Sequence, residues 1–250
     1  MSMALALALP VQAAEPSVAS SLQSPRPTFD FGVGYRGFTR SFGQDGGGIT
    51  LPRFDGSAAG VAVEARVFPF SSSSSALGNL GLTGEGQFSL GLSASYKGAL
   101  FAGSATTLRG SLALRLPFDA SEVQLFAGVG YQGFQLATTA VEGATTLDDS
   151  SLGLLGPRAG LAYRVQLTSA FSVRAQAAFL FALSRGRLGE RFLSSSAFGL
   201  DAGLAVALTV LPGVQLRVAG DWSRSFVTLT SILSATEQQF GASFLVAVAL

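Results

Sequence analysis

From Phe29 to the end of the chain, apolar residues recur at every second position. That spacing puts successive side chains on opposite faces of an extended backbone, and it predicts β-strands rather than helices. Ten segments carry the pattern, at 29–38, 60–68, 80–94, 105–116, 123–135, 156–167, 171–181, 198–210, 214–222 and 238–250. In the first, Phe29, Phe31, Val33 and Tyr35 oppose Asp30, Gly32, Gly34 and Arg36. In the third, Leu82, Phe88, Leu90 and Leu92 oppose Glu85, Gln87 and Ser89. In the sixth, Leu161, Tyr163, Val165 and Leu167 oppose Arg158, Ala162, Arg164 and Gln166. Short turns follow the fourth, sixth and eighth segments. Gly/Ser/Thr-rich stretches around 39–57, 95–104, 136–151, 182–197 and 225–236 read as longer loops at the opposite end.

Alternation alone does not say which row faces inward, and three features of the chain decide it. The polar row mixes charge with Gly, Ala and Ser and carries no lysine, as an interior of limited volume demands. The segments are longer than the usual five or six residues of soluble strands and match the roughly 9 to 11 needed for a tilted bilayer crossing. Short turns at one end and long loops at the other follow the asymmetry of membrane barrels. The apolar rows therefore face lipid. Unpaired strand edges are costly in hydrocarbon, so the wall must close on itself. The expected fold is all-β, a closed up-and-down antiparallel transmembrane β-barrel of about ten strands. Phe29, Tyr35, Phe68, Phe70, Phe118, Tyr131, Tyr163, Phe171, Phe181, Phe198, Trp222 and Phe240 stand near strand ends as candidates for the interfacial aromatic girdles. The rival architecture is a soluble exported barrel with the faces reversed and an apolar ligand inside.

Two stretches carry a family likeness. "VEARVFPF" (63–70) resembles the strand and aromatic-Pro turn of small outer-membrane barrels, and "FGASFLVAVAL" (240–250) resembles their closing strand. Over residues 28–250 the chain resembles the Gram-negative outer-membrane β-barrel proteins. The resemblance implies a place in the bacterial outer membrane, outer-membrane lipids and lipopolysaccharide as surroundings, and the barrel-assembly machinery as a folding partner. The family usually ends in an aromatic residue, and this chain departs from it with Leu250.

Composition narrows the chemistry. Charged residues are 12% of the chain against 48% hydrophobic, and the mean hydropathy is +0.44, oily for a protein solvated on all sides. No run of about eighteen apolar residues predicts a spanning helix. The net charge of +1 gives no field to recruit nucleic acid. Residues 1–13, with the apolar core Met3 to Leu9 and the small-residue site Val11-Gln12-Ala13, read as a signal peptide without a basic start. Residues 14–27 read as a disordered lead-in.

Cysteine and histidine are both absent, which removes thiolate chemistry, the usual proton shuttle and the commonest metal ligand. The known hydrolases of outer-membrane barrels depend on a histidine, so the chain is expected to be no enzyme. Lys97, the sole lysine, lies in a loop without an evident partner. "GVGYRG" (32–37) and "GVGYQG" (128–133) lack the helix a phosphate loop requires, and "QDGGG" and "LDDSS" supply too few oxygens for calcium. No metal and no cofactor is expected.

The candidate site is the barrel interior. By their place in the alternation, Arg36, Arg66, Arg109, Arg115, Arg158, Arg164, Arg174 and Arg217 face it together with Asp30, Glu64, Glu85, Asp201 and Asp221. Buried charges are tolerated when paired, and the guanidinium fork suits carboxylates, so a salt-bridged filling is expected. The alternatives are a narrow anion-preferring pore lined by the same arginines and a surface-binding, adhesin-like module working through long loops. Arg185, Arg187 and Arg191 form a basic cluster on the outer side with the chemistry to contact lipopolysaccharide phosphates.

Overall fold

A backbone of alternating rows has to bury or hydrogen-bond every amide, and here it does so by closing into a ring. The computed structural model describes residues 27–46, 49–50, 54–73, 75–96, 99–137, 152–184, 196–230 and 233–250. Ten long strands form the wall: β1 (Phe29–Gly46), β2 (Phe54–Val67), β3 (Leu80–Tyr96), β4 (Ala99–Phe118), β5 (Ser121–Leu136), β6 (Leu152–Gln166), β7 (Phe171–Ala182), β8 (Ser196–Leu211), β9 (Val214–Thr230) and β10 (Leu233–Ala249). Ile49–Thr50 adds a two-residue strand beside the end of β1. Each long strand pairs antiparallel with the next, and β10 returns to pair with β1 from Asp30↔Ala249 to Gly46↔Leu233. The seam is tied at its base, where the Thr28 amide donates to the Leu250 carbonyl at 2.6 Å and the Leu250 amide to the Phe29 carbonyl at 2.8 Å. A 3-10 turn, Ala76–Asn79, lies between β2 and β3.

The outward rows are apolar and open. Leu90 is 71% exposed and Leu112 68%, and Val33, Leu82, Leu161, Leu204 and Val246 are exposed with them. Soluble monomers rarely show contiguous apolar patches beyond a few hundred Å², so a belt running round the whole wall is a surface made for hydrocarbon. This end of the molecule, with both described chain ends and the short turns, is the periplasmic end in a barrel of this kind.

The strands are longer than the alternation suggested, and almost all of the extra length is at the other end. β1 runs on to Gly46 and β2 starts at Phe54, so most of the stretch expected as a loop at 39–57 is hairpin. β3 and β4 reach Tyr96 and Ala99, and β9 and β10 reach Thr230 and Leu233. Their small polar residues are strand residues facing water: Thr39, Ser57, Ser93, Ser95, Ser104, Thr228 and Ser234 point outward and are exposed.

Inside this same section the lining is mainly apolar. Phe38, Phe42, Leu92, Ala94, Ala105, Phe134, Leu136, Leu152, Leu154, Leu180, Ala182, Ala197, Val227 and Ala235 form one buried cluster, with Ala58 packed against it. Every strand of the wall contributes, and the rings of Phe42 and Phe134 meet at 5.6 Å between centroids. The sequence predicts an interior that is polar throughout; the structure makes it polar in the membrane section and mainly apolar above it, with Arg40 and Glu237 buried among the apolar side chains.

Two expected orientations are corrected. Leu92 belongs inside, 3% exposed, because β3 carries an extra residue between Phe88 and Leu92 where Gly91 takes a φ of 150°. An inserted residue of this kind flips the rows beyond it, and glycine tolerates the backbone angle. Phe68 is no girdle residue: it is 4% exposed and lies inside, with the Arg115 guanidinium 3.5 Å from its ring centroid.

Candidate functional site

Because interior positions alternate with lipid-facing ones, charges spaced by two along a strand stack up one inner wall. At mid-height Arg109 on β4 donates through Nη1 to Glu85 on β3 at 3.1 Å, and its Nη2 lies 3.0 Å from Asp201 on β8. The strands β4 and β8 are four apart in a ring of ten, so this guanidinium spans the lumen. Arg158 on β6 reaches Asp201 through Nε at 3.3 Å, passing across β7. Arg36 on β1 donates to Asp221 on β9 at 2.6 Å, past β10. Gly241 on β10 makes room for that contact, since a Cβ there would stand 2.3 Å from Nη2 of Arg36.

Lower down, Nη2 of Arg217 donates to both oxygens of Asp30 at 2.7 and 2.8 Å. Arg66 joins Asp30 at 3.4 Å and Glu64 at 3.0 Å. Arg115 donates to the Pro27 carbonyl at 3.3 Å. Arg164 and Arg174 differ from these: Arg164 donates to Gln166 at 3.3 Å and Arg174 to Gln124 at 3.3 Å, and among the described residues neither makes an ion pair. Charge-assisted bonds of this length are roughly twice as strong as neutral ones, and in a low-dielectric lumen each also lightens the cost of keeping its partners out of water.

The network also takes in polar residues beyond the expected charges. Arg40 pairs with Glu237, and Gln132 on β5 donates to the same carboxylate on β10 at 3.3 Å, a second link between facing walls. Arg40 also stacks over Phe134, 4.3 Å from its centroid. Their signal was present in the rows: Arg40 continues Arg36 and Phe38 by steps of two, and Glu237 precedes Gln239 in the same way. Arg40 falls within the stretch that reads as a loop at 39–57, and Glu237 falls in the gap between the loop at 225–236 and the segment that starts at 238.

Between these side chains little space is left. Two cavities among the described residues of the periplasmic half measure about 30 Å³ each, room for about two waters or one small polyatomic ion in their place. Among the described residues no group of three or more acidic, His or Cys side chains is placed to hold a metal. Arg185, Arg187, Arg191 and Lys97 lie outside the described residues, as do residues 1–26 and the "LDDSS" stretch.

No protein-family model and no curated protein matches the chain. Solved structures do resemble it. The outer membrane protease OmpT of Escherichia coli superposes with a TM-score of 0.56 at 9% identity, over 92% of this chain and 100% of that one. The translocator domain of the autotransporter NalP from Neisseria meningitidis gives 0.39 at 12% identity, over 94% of this chain and 92% of that one. The attachment invasion locus protein Ail of Yersinia pestis gives 0.35 at 9% identity, over 88% and 99%. The first likeness bears on the fold alone, and the other two are too loose to carry an argument. A wall of ten antiparallel strands closed on itself, with an apolar belt outside and bridged charges inside, is the fold of the Gram-negative outer-membrane β-barrel proteins, whose place is the bacterial outer membrane.

Proposed function

We propose that the protein is an integral outer-membrane barrel whose lumen does not conduct, and that it acts without catalysis through its outer rim and loops. The observation that carries this reading is the joining of facing walls by Arg109–Asp201 at mid-height and by Gln132–Glu237 nearer the outer end. The apolar layer around Phe42 and Phe134 adds a dry seal, because an ion crossing it would lose its hydration without new ligands. The absence of histidine from the sequence supports a role without hydrolytic chemistry. In this reading the belt has membrane lipid as its partner, the outer loops with Arg185, Arg187 and Arg191 face lipopolysaccharide, and the barrel-assembly machinery inserts the chain.

Single-channel recording of the purified barrel in planar bilayers tests it. A silent bilayer across ±100 mV, roughly the range of biological membrane potentials, is the expected result. Discrete conductance steps that change with Arg158→Glu would instead establish the narrow anion-preferring pore.

A further inference from the structure

The periplasmic end of the lumen holds more positive charge than it pairs. Arg164 on β6 and Arg174 on β7 stand directly opposite each other in the strand register, both on the inner face. Like charges in that position repel and weaken a sheet. The remaining cross-strand neighbour of Arg164 is Glu122 on β5, whose carboxylate attracts its charge, although among the described residues no ion pair joins the two. The cavity that these residues line is bounded by Arg66, Arg115, Arg164 and Arg174 against the carboxylates of Asp30 and Glu122, and Asp30 is already held by Arg217 and Arg66. A second cavity opens on the far side of the same Arg66, Arg164 and Arg174.

An independent observation points into the first cavity. Gln124 is 5% exposed, its oxygen accepts from Arg174, and its amide nitrogen Nε2 is buried with no acceptor. A buried N–H without a partner is costly, and a carboxamide offers two donors. Three side chains that carry N–H groups thus line one small space: Arg164, Arg174 and the unused amide of Gln124. A group bearing several acceptor oxygens and negative charge would satisfy the amide, cancel the Arg–Arg repulsion and accept bidentately from either fork.

We propose that the inner mouth of the barrel binds a small oxyanion, of the phosphate, sulfate or carboxylate class, on Arg164, Arg174 and Gln124. Arg66 closes the site from the opposite side. Entry is from the periplasmic mouth, where Arg164, Arg174 and Arg66 are part-exposed.

The test is calorimetric titration of inorganic phosphate into the full-length barrel, folded in a lipid-free maltoside detergent with ionic strength held constant by chloride. Saturable binding at a single site is expected. Arg174→Gln and Arg164→Gln should each weaken it at least tenfold and Gln124→Leu several-fold, while Arg224→Gln, on the outward face, leaves it unchanged. Heat-modifiable gel mobility reports folding. Since each arginine variant relieves the repulsion, both should be at least as heat-resistant as the parent in phosphate-free buffer, and a loss of heat resistance there would count against the site. Phosphate binding no better than chloride, or binding that survives both arginine substitutions, would overturn the proposal. So would a response seen only after anionic phospholipid is added, which would move the occupant from a free solute to a lipid headgroup.

Discussion

The membrane section and the outer section of this barrel are built on the same period-two alternation and have opposite polarity. In the membrane section, Leu112 and Leu161 point out and Arg109 and Arg158 point in. In the outer section, Ser93 and Ser95 point out while Leu92 and Ala94 point in. The wall is continuous between them, and the outward rows turn from almost wholly apolar in the membrane section to mixed and largely polar above it, where Leu100 and Phe240 stand among the serines and threonines. The outer section is in effect the water-soluble barrel that competed with the membrane reading, placed on top of the membrane barrel. The difference teaches that the environment outside, rather than the strand itself, dictates which row is greasy.

The sharpest way to break the comparison is through the ion pair set into the apolar section. Arg40 and Glu237 are 4% and 1% exposed in their side chains, so Arg40→Ala leaves a buried carboxylate without its cation. A loss of about 3–5 kcal/mol is expected in denaturant unfolding, with most of it recovered in the double variant Arg40→Met/Glu237→Leu. If the section were wet, both changes would be mild.

A matched pair of outward charges sharpens the boundary. Leu112→Arg should cost about 2–4 kcal/mol in vesicles because the guanidinium enters lipid, whereas Ser57→Arg, on the outward face of the outer section, should stay within about 0.5 kcal/mol. Equal costs would place both levels in the same medium. A smaller effect is expected from Phe42→Leu, which removes the ring contact with Phe134 and keeps an apolar side chain in its place: about 1 kcal/mol in the same unfolding assay, with no conductance appearing.

The strands, their order and the closed wall were legible because alternation over ten segments leaves few other architectures. What escaped did so for local reasons. Ser, Thr and Gly at 39–57 and 225–236 look like loop residues when lipid is assumed outside every strand, and the assumption fails where the wall rises into water. A single inserted residue at Gly91 reverses Leu92, and no pattern upstream announces it. Phe68 ends a strand, where an aromatic ring serves a girdle or an arginine equally well, and its choice of Arg115 depends on a neighbour 47 positions away. The cross-lumen partners of Arg109 and Gln132 were unreadable for a related reason: alternation gives the face of a residue but not the height at which a distant strand meets it.

The bonds across the lumen also carry a time order. Arg36 and Asp221 lie 185 positions apart, Arg217 and Asp30 187, and Gln132 and Glu237 105. None of them can form before the wall curls shut, so they are expected to be late arrivals, missing from the state in which the wall is still zipping up. Interactions missing from that state slow escape from the finished fold and leave the rate of reaching it almost untouched. The arginines of the interior therefore act as a latch, giving the protein a long lifetime once assembled rather than a quick assembly.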